Sequence, residues 1–197
     1  MLVEKVLNNN VVVSIDPKTR KEVILMGSGI AFNKKAGQLI DERKIEKVFY
    51  VEDENLGNKI KKLINQIPEG IFEIADEIIT HAIVELNVEL DKQIYVSLAD
   101  HIAFAVKRFK NGITIKNELL NEIRRVHKKE FKISLWAVDY INKKLDVELP
   151  EDEAGFIALH FVNASYKETT MKSVESTKII KDILNIIKYH FTIELDE

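Results

Sequence analysis

The chain contains no cysteine, three prolines, seven glycines and only 8% aromatic residues. Without cysteine there is no disulfide framework, no thiolate metal site and no thiol nucleophile. Neither an internal repeat nor a low-complexity tract is present. No apolar run reaches the roughly 20 residues needed to cross a bilayer. The start, Met1-Leu2-Val3-Glu4-Lys5, lacks the basic and then apolar pattern of a secretory signal. A soluble protein suited to a reducing cytoplasm, with no membrane insertion, is the expectation from these absences.

What is present is a folded-protein composition of 46% hydrophobic and 31% charged residues over 197 positions. The net charge of −3 does not by itself suggest a polyanion as partner. Its distribution is more informative: residues 1–50 hold 9 Lys and Arg against 6 Asp and Glu, and the remainder hold 20 against 26. A basic head on an acidic body is compatible with polyanion binding by the head alone, and equally with two unrelated solvated surfaces.

Along the chain the periodicity changes once. Val11–Ile15 and Val23–Met26 are short β-branched runs, joined by Asp16-Pro17-Lys18-Thr19, whose Asp and Pro have turn chemistry. This predicts a hairpin, with a strand before it (Leu2–Leu7) and one after it (Ile45–Val51). Four short strands bury little core, so the module is expected to need a partner, most simply a second copy. From about Asn55 the pattern is helical. Ile60, Leu63, Ile64 and Ile67 form a stripe ending at Pro68. Helices are then predicted over Ile71–Leu90, Ile94–Lys110, Ile115–Lys129 and Ser134–Leu145, with another opened by Pro150 and a last one over Val174–His190. The fold class is therefore α+β in two domains: a small four-stranded antiparallel module followed by an all-α bundle. Residues 168–173 are polar and read as a linker.

Two groups of residues have chemical potential. Asn8-Asn9-Asn10 and Met26-Gly27-Ser28-Gly29-Ile30-Ala31-Phe32 bracket the strands. Asn offers a donor and an acceptor together, Phe32 can stack on an unpaired base, and Lys5, Lys34 and Lys35 can hold phosphates. The same Asn run would also serve as a plain turn. In the helical part, His101 sits at the margin of a buried stripe, and His160 has Phe156 one turn earlier on its face. A neutral imidazole is a nucleophile and can accept a phosphoryl group. Asp100-His101 also admits a metal-dependent phosphohydrolase, which would need several more converging ligands from among His81, His127 and His160. No cofactor is called for.

Taken in order, Lys5-Val6-Leu7-Asn8-Asn9-Asn10-Val11, Met26 to Phe32 and Ile45-Glu46-Lys47-Val48-Phe49 resemble the co-antiterminator RNA-binding domain of the BglG/SacY family of transcriptional antiterminators. Ile94 to His101 and Leu149 to His160 resemble the two histidine motifs of a phosphotransferase-system regulation domain. The resemblance covers essentially the whole chain. It implies an RNA-binding domain over 1–56, a linker helix over 57–66, a first regulation domain over 67–170, and over 171–197 a linker with the opening helix of a truncated second regulation domain. It further implies a homodimer that grips an mRNA antiterminator hairpin and so prevents an overlapping terminator from forming. Lys5, Asn8, Asn10, Gly27 and Phe32 are the implied RNA contacts. His101 and His160 are the implied acceptors of phosphoryl groups from the sugar permease and phosphocarrier proteins of the sugar phosphotransferase system. Ser28 stands where close relatives often carry Arg, so one contact is missing or shifted to Lys34 or Lys35. A phosphate on His101 or His160 near a two-fold axis would set like charges against each other and bias the dimer, and residues 55–67 would relay that bias. A DNA-binding activator with the same regulation domain is the alternative, and would require a helix-turn-helix head.

Overall fold

A computed structural model of the chain describes residues 1–51, 54–68 and 70–165. Four strands, β1 (Lys5–Asn8), β2 (Val11–Ile15), β3 (Glu22–Met26) and β4 (Lys47–Tyr50), form one antiparallel sheet in the order β1-β2-β3-β4. The expected hairpin is β2–β3, in register from Val11 opposite Met26 to Ile15 opposite Glu22. Its turn is held as the residue types require: Asp16 Oδ1 accepts from the backbone N–H groups of Lys18 and Thr19, both at 2.8 Å. The first strand starts later than the sequence suggests. Leu2 makes only an isolated bridge to Leu39, and the β1–β2 register shifts between Val6 and Asn8.

Alternation along β2 and β3 gives the sheet two apolar faces. Val12, Val23 and Leu25 pack with Val3, Ile30, Ala31 and Ile40, so the long β3–β4 connection closes that side. Leu7, Val11, Val13, Ile24 and Met26 face the other way and share a continuous core with the helices. The chain thus covers both faces of its own sheet. The linker helix and the bundle supply the second of these cores.

Among the described residues there are six α-helices: α1 (Glu54–Gln66), α2 (Ile71–Leu86), α3 (Ile94–Lys110), α4 (Leu120–Val126), α5 (Lys128–Leu145) and α6 (Asp152–Ser165). The bundle core is built from Ile78, Ile79, Leu98, Ile102, Ile141, Ile157 and Phe161, all essentially inaccessible to solvent. Helix α2 lies between α3 and α5, and α6 packs against α3, α4 and α5. Two expected helices are corrected. Residues 115–119 are not helical, because Asn117 is tied across the bundle: its backbone N–H donates to Asp152 Oδ1 at 2.7 Å, and its own Oδ1 caps the N–H of Leu119. Helix α5 starts at Lys128, not Ser134, burying Phe131 and Ile133 in the core. The linker 168–173 and the helix expected over 174–190 lie outside the described residues.

Candidate nucleic-acid interface and histidine site

At one end of the sheet, three hydrogen bonds converge on Asn10. Its backbone N–H donates to Asn8 Oδ1 at 2.9 Å, so Asn8 shapes the β1–β2 turn. Its backbone carbonyl accepts from Gly27 N–H at 3.0 Å, and its side-chain Oδ1 accepts from Gly29 N–H at 2.7 Å. One asparagine therefore braces the Gly27–Phe32 turn twice. Gly27 is required sterically, since a Cβ there would lie 1.7 Å from the carbonyl oxygen of Lys44. Lys44 Nζ in turn donates to the carbonyl of Gly29 at 3.1 Å. Beyond this braced turn Phe32 stands 62% exposed.

The structure brings Asn8, Asn10, Gly27 and Phe32 together on this edge. Lys5 lies apart, in a cleft of about 310 Å³ with Glu22, Lys61 and Lys62, where Lys61 already pairs with Glu22 at 2.7 Å. Of the two lysines expected to replace an arginine at position 28, Lys34 donates to the carbonyl of Leu39 at 3.0 Å.

The same edge meets the helical bundle. Asn10 Nδ2 donates to Glu73, and Lys47 pairs with Asp76 while sitting 4.0 Å over the ring of Tyr95. Burial alone would lower the Lys47 pKa, but the Asp76 carboxylate and Tyr95 outweigh it and hold the ammonium above its ordinary range. The cleft between them, about 230 Å³, has Asn10, Gly27 and Ser28 on one wall and Glu73, Asp76 and Glu77 on the other.

The two histidines predicted on α3 and α6 do meet. The His101 and His160 rings lie 5.1 Å apart, with Phe156 at 6.0 Å from His101. Burial first, and the charge of His101 second, push the His160 pKa down to about 4, so it is a neutral imidazole at pH 7. Behind them is a pair not singled out in the sequence. Glu153, 2% exposed, accepts from Arg108 through Oε1, and its Oε2 lies 3.2 Å from His101 Nε2. Burial alone would raise the Glu153 pKa; the neighbouring His101 and Arg108 outweigh it and hold the carboxyl below the usual range. A signal for this cluster was present in the sequence. His101 and Arg108 are seven residues apart, as are Glu153 and His160, which is two turns and one face in each helix.

The depressed His160 pKa has a testable consequence. The unfolded chain binds a proton near the ordinary histidine value of 6.5, while the folded chain refuses it until about pH 4. The His160 contribution is complete above pH 6.5 and is lost as pH falls through that window. Urea unfolding should show about 2 kcal/mol lost between pH 6.5 and 5 from this group, and His160→Gln should flatten that dependence.

Among the described residues no group of three or more His, Asp or Glu side chains could hold a metal ion, so the phosphohydrolase alternative gains no ligand set. The head is a sheet, which removes the helix-turn-helix alternative. Among the described residues no helix is long and apolar enough to cross a membrane.

Comparison with known proteins agrees with both halves. The CAT RNA binding domain model matches residues 1–58 and the PRD domain model residues 76–164. The chain is 46% identical over 197 residues to transcription antiterminator LicT of Bacillus subtilis (strain 168), covering all of this chain and 71% of that protein. It is 39% identical to the beta-glucoside operon antiterminator of Dickeya chrysanthemi, covering all of this chain and 69% of that protein. A crystal structure of GlcT CAT-PRDI superposes with a TM-score of 0.72 at 38% identity, covering 84% of this chain and 98% of that one. A braced sheet edge with an exposed aromatic, a histidine pair in the following bundle and relatives matched over all of this chain have one reading: the chain belongs to the BglG/SacY family of transcriptional antiterminators.

Proposed function

We propose that the chain is a cytoplasmic regulator, not an enzyme, that binds a hairpin in nascent mRNA as a dimer, so that the overlapping terminator does not form. Asn8, Asn10, Gly27 and Phe32 form the reading edge, with Lys5 as a peripheral phosphate contact. The observation that carries this is the exposed Phe32 ring on a turn whose backbone Asn10 braces, since such a ring offers a π-face on which an unpaired base can stack. Phosphoryl groups arriving at His101 and His160 from proteins of the sugar phosphotransferase system set how often the edge is available.

The docked bundle gives this control a physical form. While Glu73 holds the Asn10 amide and Asp76 holds Lys47, the edge faces a wall of carboxylates that repels a phosphodiester backbone. RNA and the α2 carboxylates compete for the same groups. Glu73→Gln with Asp76→Asn should therefore raise hairpin affinity several-fold, to about tenfold, in a filter-binding assay; weaker binding would contradict the competition.

The function itself is tested by gel shift with an antiterminator-type RNA hairpin and duplex DNA of the same sequence. Preference for the RNA hairpin, with two chains per hairpin, is expected. Equal affinity for the DNA, or no binding of either, would overturn it. Phosphorylated protein is a better probe of the regulated state than His101→Asp, which would set a second carboxylate against buried Glu153.

A further inference from the structure

We propose that Glu153, clamped by Arg108, is a positioning residue that keeps the His101 proton on Nε2 and so directs the incoming phosphoryl group to Nδ1. The inference rests on the reading of His101 as a phosphoryl acceptor and specifies which atom accepts. Nε2 of His101 and Oε2 of Glu153 are both buried and lie 3.2 Å apart as an ion-pair contact not aligned as a hydrogen bond, and neither makes a hydrogen bond elsewhere. An ionised carboxylate can only accept, so satisfaction of both atoms requires the hydrogen on Nε2. The lone pair then resides on Nδ1, since a carboxylate facing one ring nitrogen fixes an imidazole's tautomer.

Three features keep the carboxylate in this role. Arg108 occupies Oε1, so the group cannot turn away. Glu153 lies in the first turn of α6, where the helix dipole favours negative charge. It is 2% exposed, so no water competes for it. A phosphoryl group on Nε2 would instead set its anionic oxygens against a desolvated carboxylate, and like charges in a low-dielectric site repel strongly.

The transfer balances without a further reactant. The Nδ1 lone pair forms the new P–N bond as the P–N bond of the donor protein's phosphohistidine, protonated on its other ring nitrogen, breaks. The electron pair of that bond returns to the donor ring, which leaves as neutral imidazole. The proton on Nε2 stays in place, and the positive charge gained by the His101 ring is held against Glu153.

The test uses the full chain labelled with ¹⁵N-histidine and phosphorylated by a histidine-charged phosphocarrier protein. Phosphorus and nitrogen NMR distinguish the two attachment points, and His101→Ala identifies the signal that belongs to His101. Attachment at Nδ1 is expected. Attachment at Nε2 of His101 overturns the proposal while leaving His101 as an acceptor; the absence of any His101 phosphate removes both readings. Glu153→Gln should slow phosphorylation at His101 about tenfold and let the Nε2 product appear, whereas an unchanged rate with only the Nδ1 product would overturn the positioning role. Should that variant fail to fold, the attachment point in the unsubstituted chain still decides.

Discussion

Glu153→Ala should lower the stability of the chain by about 3–5 kcal/mol, the cost of stranding one member of a buried ion pair. Arg108 is only 9% exposed and would keep its charge without its carboxylate partner. The ring of Phe104 beneath its guanidinium, at 5.2 Å, offsets a small part of that. Burial of the pair is weak evidence that it stabilises the fold relative to an apolar pair. The informative comparison is therefore Arg108→Met combined with Glu153→Gln, which leaves no unpaired charge. That double variant should be distinctly more stable than the sum of the single changes suggests, measured by urea unfolding. If the two changes simply add, the residues are not coupled.

Phe32→Ala should reduce hairpin affinity about ten- to a hundredfold, given roughly 1–3 kcal/mol for each base stacked on an aromatic side chain. Its effect on stability should stay within about 0.5 kcal/mol, because the ring is 62% exposed and leaves no cavity. The separation of the two effects is what identifies a contact residue. Asn10→Ala could not be read so cleanly, since it also removes the acceptor that holds Gly29. Lys5→Ala should act differently again, weakening binding modestly for all sequences and reducing the salt slope by about one. Isothermal titration at two salt concentrations separates these cases.

What the sequence revealed and what it hid divide along the range of the interactions. The β2–β3 hairpin was legible because Asp16 and its neighbours carry their own turn chemistry, and α2 and α3 because apolar residues recur at helical spacing over several turns. The start of α4 was not, because it is set by Asn117 reaching Asp152, 35 residues away. A periodicity of Ile115, Leu119, Leu120 and Ile123 imitates a helix face, yet only Ile123 is buried and the other three lie at or near the surface. Gly155 belongs to the same contact: a Cβ there would lie 2.4 Å from Asn117 Nδ2. The histidine pair was visible because motif and helical position agree. Its buried support was missed because Glu153 has an adequate local explanation as an acidic residue opening a helix, which conceals its long-range bond to Arg108. The docking of Asn10 and Lys47 onto Glu73 and Asp76 had no local signature at all, since neither element's periodicity bears on it.

RNA seated on the Asn10–Phe32 edge must first displace the bundle from it. An NMR titration of the ¹⁵N-labelled chain with an antiterminator hairpin tests both the seating and the displacement through the Asn10 side-chain amide. The predicted result is a large shift of that amide as it leaves Glu73, together with shifts confined to residues 8–10 and 27–32 and the α2 surface they vacate. RNA binding that leaves the Asn10 amide and the Phe32 ring unperturbed would contradict it.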